Sequence, residues 1–182
     1  KGTNSDPGEH AHDTGGAAAA PSPARPVAHA APSGLFAGRR VVFSIAGNPG
    51  YEARARARET PFGARVYTAP KTRHWKEEIR HAASRAMDGQ ALILGPVRLL
   101  VIVFKPRPAS ITRKSRPNPA EWATTKPDWD NFGKAISDGC NGIIWKDDAQ
   151  VVDARVQKLY HAGPGYPDAF PRVEIVVEEI AS

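Results

Sequence analysis

The run from Val97 to Phe104 constrains the fold more than any other part of the chain. Seven of its eight residues are apolar, and only Arg98 interrupts them. This composition predicts a central β-strand that is covered on both faces. No apolar run reaches the roughly 20 residues that a membrane-spanning helix needs. We therefore expect a soluble protein built around one β-sheet, with no membrane segment.

The rest of the chain supplies strands and two helices around that run. Apolar residues recur at three- and four-residue steps from Lys71 to Met87, which predicts a helix, and a second helix is expected up to about Asn141. Residues 51–64 and 106–126 are expected to be loops. Further strands are predicted at residues 40–46, 66–68, 150–160 and 172–180. This order favours an α/β (α+β) fold, a mixed sheet with two helices packed on it, rather than a doubly wound parallel sheet.

The first 34 residues differ from the remainder in composition. Ala, Gly and Pro dominate them, and almost nothing large and apolar is present to bury, so residues 1–34 are predicted to form a disordered tail. Residues 35–182 are then expected to form a single folded domain. Cys140 is the only cysteine, which excludes an internal disulfide framework and any multi-cysteine metal site.

Charge is unevenly distributed along the chain. The net charge is −1 over residues 1–34, +12 over residues 35–126 and −5 over residues 127–182, which together give the total of +6. Such asymmetry suggests one surface for an anionic partner and a separate cluster of carboxylates. The alternative is ordinary surface charge that evens out on folding. The candidate anion-binding residues are Arg54, Arg56, Arg58, Arg65, Lys71, Arg73, Arg107, Arg113, Lys114 and Arg116.

Acidic residues concentrate between Lys126 and Asp148. Asp128 and Asp130 flank Trp129, and in an extended stretch they would point to the same side. Asp130, Lys134 and Asp138 are spaced to share one helix face. Hard cations such as Mg²⁺ take a few carboxylates together with water and substrate phosphate. A nearby lysine would stabilise the charge that develops when a phosphodiester is cleaved.

Purely structural roles also fit these residues. Asp128 or Asp130 would serve as a helix N-cap, and Lys134 would form ordinary ion pairs one turn away with Asp130 and Asp138. Asp147 and Asp148 would then mark only a turn. For the aromatic residues we predict core packing of Trp75, Trp129, Phe132 and Trp145, with stacking of Trp129 on a displaced base as the alternative.

As a string, residues 126–152 read KPDWDNFGKAISDGCNGIIWKDDAQVV. This segment resembles the signature of the RusA family of Holliday-junction resolvases, which phages and prophages often encode. The family pattern is roughly K-P-D-x-D-N-x-x-K-x-x-x-D, followed after an apolar stretch by W-x-D-D-x-Q-V. Upstream, residues 45–49 with Arg54 and Arg56 resemble the family's opening strand and basic loop. The resemblance covers roughly residues 40–180.

The resemblance implies a RusA-like fold and a specific activity. The expected function is Mg²⁺-dependent endonucleolytic cleavage of four-way DNA junctions by a homodimer, in DNA recombination and repair in the cytoplasm, with Mn²⁺ as a substitute metal. Asp128, Asp130 and Asp148 would bind the metal, and Lys134 would be the catalytic lysine. Asp147 is a further candidate ligand or supporting residue, and Asp138 would hold Lys134 in place. The alternatives are a nuclease of the same fold for other branched or flapped DNA, and a non-catalytic DNA-binding protein.

Overall fold

The computed structural model describes residues 38–51, 56–60, 63–67, 70–112 and 118–181. The predicted tail, residues 1–34, lies outside these ranges. So do four of the predicted anion contacts, namely Arg54, Arg113, Lys114 and Arg116, and so do the side chains of Arg56, Arg58 and Arg65. Those predictions therefore stay predictions.

In chain order the elements are β1 (Arg40–Ala46), β2 (Arg56–Thr60), β3 (Gly63–Tyr67), α1 (Pro70–Met87), β4 (Val97–Lys105), β5 (Glu121–Trp122), α2 (Trp129–Cys140), β6 (Val151–Tyr160) and β7 (Arg172–Glu179). A mixed five-stranded sheet forms the centre of the described fold, in the order β1-β7-β4-β6-β5. A separate two-stranded hairpin, β2 and β3, follows β1 in the chain. The predicted mixed sheet with two helices is confirmed.

The apolar run forms β4 in the middle of the sheet, parallel to β6 and antiparallel to β7. Val97, Leu99, Val101 and Val103 alternate along it and are at most 2% exposed, because they form one core with the helices. The expectation of cover on both faces was wrong, since the side chains between them are only half-buried. Arg98 lies on that outer face and forms an ion pair with Asp153 at 2.5 Å.

Both helices bury an apolar stripe against the same face of the sheet. In α1 the stripe includes Trp75, Ile79 and Ala83, and in α2 it includes Phe132 and Ile136. The two helices also pack against each other. Within the described part of the chain, no helix is long and apolar enough to cross a membrane.

Two segments that were expected to be loops contain short strands. Residues 56–60 pair with residues 63–67 as an antiparallel hairpin, so the prediction of a loop over 51–64 was wrong there. The arginines at alternate positions have the two-residue period of a strand, so the sequence did contain an indication of this hairpin. Within residues 106–126, Glu121–Trp122 adds an edge strand to β6, and Ala109–Ile111 forms a 3₁₀ turn.

Gly139 allows α2 to approach α1 closely. A Cβ atom at this position would lie 2.5 Å from Cγ2 and 2.8 Å from Cβ of the buried Ile79. Gly139→Ala should therefore force the helices apart and lower the free energy of unfolding by about 1–3 kcal/mol, as overpacking of a core does. The measurement is the urea unfolding midpoint.

Gly133→Ala is the matched control in the same helix. Its Cβ atom would meet only the Val156 Cγ2 methyl at 3.2 Å, and alanine favours a helix over glycine by about 1 kcal/mol. We expect this variant to be as stable as the wild type or slightly more stable. Equal stability of Gly139→Ala and Gly133→Ala would contradict the proposed tight contact.

Candidate active site

Asp128 and Asp130 lie at the N-terminus of α2, and both are exposed. Asp128 occupies the N-cap position with an extended backbone, yet its side chain makes no capping hydrogen bond. Asp130 is already within the helix, so the expectation that both aspartates lie in an extended stretch and point to the same side was wrong for Asp130. The role of Asp128 as a hydrogen-bonding cap is thus not realised, and its carboxylate is accessible. The positive end of the helix dipole favours negative charge at both positions.

The segment before Asp128 is held through its backbone carbonyls by two lysines. The Lys105 ammonium donates to the carbonyls of Thr125 (3.2 Å) and Lys126 (2.7 Å). The Lys158 ammonium donates to the carbonyls of Thr125 (3.0 Å) and Pro127 (2.7 Å). Burial and the neighbouring Lys158 charge lower the pKa of Lys105 from its ordinary value. The carbonyl oxygens partly offset the repulsion between the two cations.

Lys134 lies one turn after Asp130, and its side chain is 65% exposed. Its ammonium is 3.5 Å from Asp138, and the other oxygen of Asp138 accepts a 2.7 Å bond from Lys76 of α1. The predicted contact between Asp138 and Lys134 is therefore present. Lys76 orients Asp138 from the neighbouring helix, which sequence spacing alone did not indicate.

The second acidic pair lies in the 3₁₀ turn before β6. Asp147 caps this turn by accepting a hydrogen bond from the Ala149 amide (2.9 Å), while the Gln150 side chain accepts one from the Asp147 amide (2.9 Å). Asp147 therefore has the structural turn role that the sequence left open. Asp148 is half-buried and accepts a 3.2 Å hydrogen bond from the Trp145 indole.

The two acidic pairs lie at opposite ends of α2. The Asp148 carboxylate accepts a hydrogen bond from the Trp145 indole, and the Trp145 carbonyl accepts one from the Gly142 amide (2.8 Å), two residues after α2 ends, so Asp148 lies at the C-terminal end of the helix. Asp128 precedes the first residue, and 12 residues of helix span about 18 Å. No group of three or more His, Cys, Asp or Glu side chains suited to a metal ion occurs among the described residues. One chain therefore does not bring Asp128, Asp130 and Asp148 together.

The donor chemistry at the start of α2 nevertheless suits a hard divalent cation. Mg²⁺ is commonly bound by one or two carboxylates, with waters and substrate phosphate completing its octahedron. Asp128 and Asp130 supply two exposed carboxylates at one helix end. Asp148 of the same chain lies at the other end of α2 and does not reach a cation held there.

Aromatic side chains connect the start of α2 to the basic part of the sequence. Trp129 is 60% exposed, so the prediction that it packs in the core was wrong, whereas Trp75, Phe132 and Trp145 are buried as predicted. Tyr51 packs edge-on against Phe132 with ring centroids 6.2 Å apart. Tyr51, which precedes the basic segment in the sequence, therefore lies against α2.

Three of the residues predicted to bind an anion have described side chains, and they differ in exposure. Lys71 and Arg73 lie exposed at the start of α1, and Thr72 between them donates a hydrogen bond to the Tyr51 carbonyl (3.4 Å). Arg107 was predicted wrongly, because its side chain is only 4% exposed and pairs with Glu121 at 2.6 Å.

Sequence comparison adds two findings to this geometry. A family model described as Endodeoxyribonuclease RusA matches residues 46–178. The chain is also 32% identical over 147 residues to the uncharacterized protein YqaN of Bacillus subtilis (strain 168), covering 78% of this chain and 98% of that protein. The matched region contains both helices and all the candidate site residues.

Asp138→Asn tests whether the contact between Asp138 of α2 and Lys76 of α1 stabilises the fold. The substitution removes the charge from a half-buried hydrogen bond to Lys76, and bonds of this kind contribute about 1.5–3 kcal/mol. We expect a loss of up to that size in the free energy of unfolding, measured with urea. Glu78→Gln is the control, because among the contacts of the described residues Glu78 forms an exposed pair with His74 at 3.4 Å. Equal midpoints for the two variants would refute the structural weight given to Asp138.

Proposed function

Because the chain belongs to the RusA endodeoxyribonuclease family, we propose that it is a Mg²⁺-dependent nuclease that resolves four-way DNA junctions by paired symmetric cuts. The observation that carries the proposal is the start of α2, where Asp128 and Asp130 expose two carboxylates and Lys134 projects one turn further on. A role in DNA recombination and repair, in the cytoplasm where DNA is accessible, follows from that activity.

Each residue at this site has a distinct task in the proposal. Asp128 and Asp130 would hold the divalent cation, which when bound supplies charge neutralisation at the scissile phosphate and a more acidic bound water. Mn²⁺ would substitute for Mg²⁺, since both accept hard oxygen ligands. The Lys134 ammonium would face the phosphate and stabilise the negative charge of the transition state. Asp138 would orient that ammonium, and Lys76 would in turn fix the Asp138 carboxylate.

A homodimer gives Asp148 a place in the chemistry. Within one chain Asp148 is bonded to Trp145, just beyond the C-terminal end of α2, while Asp128 lies at the N-terminal end. A two-fold axis would pair the start of α2 in one subunit with the end of α2 in its partner, so that each of two metal sites receives Asp148 from the other chain. Such a dimer also matches the near two-fold symmetry of a four-way junction.

The DNA would approach from the side of Tyr51 and the start of α1. Lys71 and Arg73 are exposed there, and Arg54, Arg56 and Arg58 follow Tyr51 in the sequence. Arg113, Lys114 and Arg116 remain candidates of the same kind.

The exposed indole of Trp129, between the two carboxylates, would stack on a base next to the cut.

The proposal is tested by cleavage of labelled synthetic four-way junctions, flaps and linear duplexes in Mg²⁺. We expect symmetric paired cuts in the junction, and we expect Asp130→Asn to lose at least about 100-fold in rate, because it would weaken binding of the cation that neutralises charge at the scissile phosphate. Asp153→Asn removes a carboxylate from the outer face of the sheet and should cut normally.

Each alternative has its own outcome in this assay. Cleavage of flaps alone would indicate a nuclease of the same fold with another branched substrate. Junction binding without cleavage in either Mg²⁺ or Mn²⁺ would indicate a non-catalytic DNA-binding protein. Full activity of Asp130→Asn would reject the assignment of the metal site.

A further inference from the structure

Lys105 and Lys158 lie on neighbouring strands with their ammonium groups converging on one segment. Lys105 is the last residue of β4, and Lys158 lies opposite Val103 near the end of β6. Both side chains are half-buried. Together they donate to three consecutive backbone carbonyls, those of Thr125, Lys126 and Pro127, at 2.7–3.2 Å.

The Thr125 side chain extends this arrangement. Its hydroxyl accepts a 2.7 Å hydrogen bond from Lys105 and is 2.8 Å from the Tyr160 hydroxyl. Segment 125–127 has no regular secondary structure of its own and carries no large buried side chain. Its path from β5 to α2 is therefore fixed mainly by the ammonium donors and Thr125.

We propose that Lys105 and Lys158 are positioning residues that fix the backbone of residues 125–127 and thereby place the Asp128 carboxylate for divalent-metal binding. The inference rests on the proposed role of Asp128 as a metal ligand. Asp128 is covalently joined to the last carbonyl that Lys158 holds, and its own side chain makes no capping bond that would fix it.

A role in binding DNA is the competing explanation for two lysines near the site. A lysine that contacts phosphate needs its ammonium donors turned towards solvent. Here the Lys158 ammonium is directed to two carbonyls and the Lys105 ammonium to two carbonyls and a hydroxyl. Since an ammonium has three donors, these contacts use most of the capacity of each group. The positioning role therefore accounts for the geometry better than phosphate binding.

The test uses the full chain without DNA. Lys105→Met and Lys158→Met keep the length of each side chain and remove the donors, and Lys158→Arg restores them in part. Arg155→Met is the matched control, because Arg155 is an exposed cation on the same strand that lies opposite Leu100 on the outer face. One readout is Mn²⁺ affinity by calorimetry, and the other is the backbone ¹⁵N order parameter of residues 125, 126 and 128.

For both methionine variants we expect Mn²⁺ affinity to fall by about 10-fold, the lower end of the range for residues that orient metal ligands. Order parameters in the segment should fall from about 0.85 towards 0.6. Lys158→Arg should recover most of the affinity, and Arg155→Met should match the wild type. Unchanged Mn²⁺ affinity, unchanged order parameters, or an equal loss in Arg155→Met would overturn the proposal.

These readouts separate the inference from the proposed function. Order parameters report the segment whether or not the protein cuts DNA. Loosening of the segment in a protein that cuts no junction would retain the positioning role and reject the nuclease assignment. Intact order and Mn²⁺ binding with weaker junction binding would assign both lysines to DNA instead.

Discussion

The packing of α2 along β6 determines where every candidate catalytic group lies. Gly133 brings the helix close to the strand, where a Cβ atom would lie 3.2 Å from the Val156 Cγ2 methyl, and Gly139 brings the same helix against Ile79 of α1. Lys158 then ties the start of the helix to the end of β6, and the turn at Asp148 connects the other end of the helix to the beginning of β6. The chemistry follows from this antiparallel placement, since it exposes Asp128 and Asp130 at one end and leaves Asp148 at the other.

Lysine side chains position the segments around the candidate site through ion pairs and hydrogen bonds. Asp138 bridges two lysines from different helices, while the Lys105 and Lys158 ammonium groups donate hydrogen bonds to the backbone carbonyls just before Asp128. The carboxylates proposed for the metal are left outside these networks, without a lysine or arginine ion pair among the described contacts. A site of this kind suits a divalent cation because the carboxylates repel each other until a positive ion binds between them.

Periodicity and composition predicted the elements well, whereas they predicted only some of the contacts around the candidate site. The apolar run and the helical spacing of residues 71–87 located β4 and α1, because burial imposes those patterns directly. The motif selected Asp128, Asp130, Lys134 and Asp148 as candidates, yet spacing along the chain does not report that the first two lie at the start of a 12-residue helix and Asp148 beyond its end. Lys76, Lys105 and Lys158 escaped notice because their partners lie 62, 21 and 31 residues away. Trp129 was misplaced because core packing is the usual role of tryptophan.

In the proposed nuclease, each metal site is completed between two copies of the chain. The most direct measurement mixes Asp128→Asn with Asp148→Asn, refolds them together and assays nicking of a labelled four-way junction in Mg²⁺. Each variant alone should be inactive. In a mixed dimer with shared sites, one site keeps both native carboxylates, so the mixture should nick the junction at a substantial fraction of the wild-type rate. If the mixture stays as inactive as its components while the wild type cuts, the shared site is contradicted.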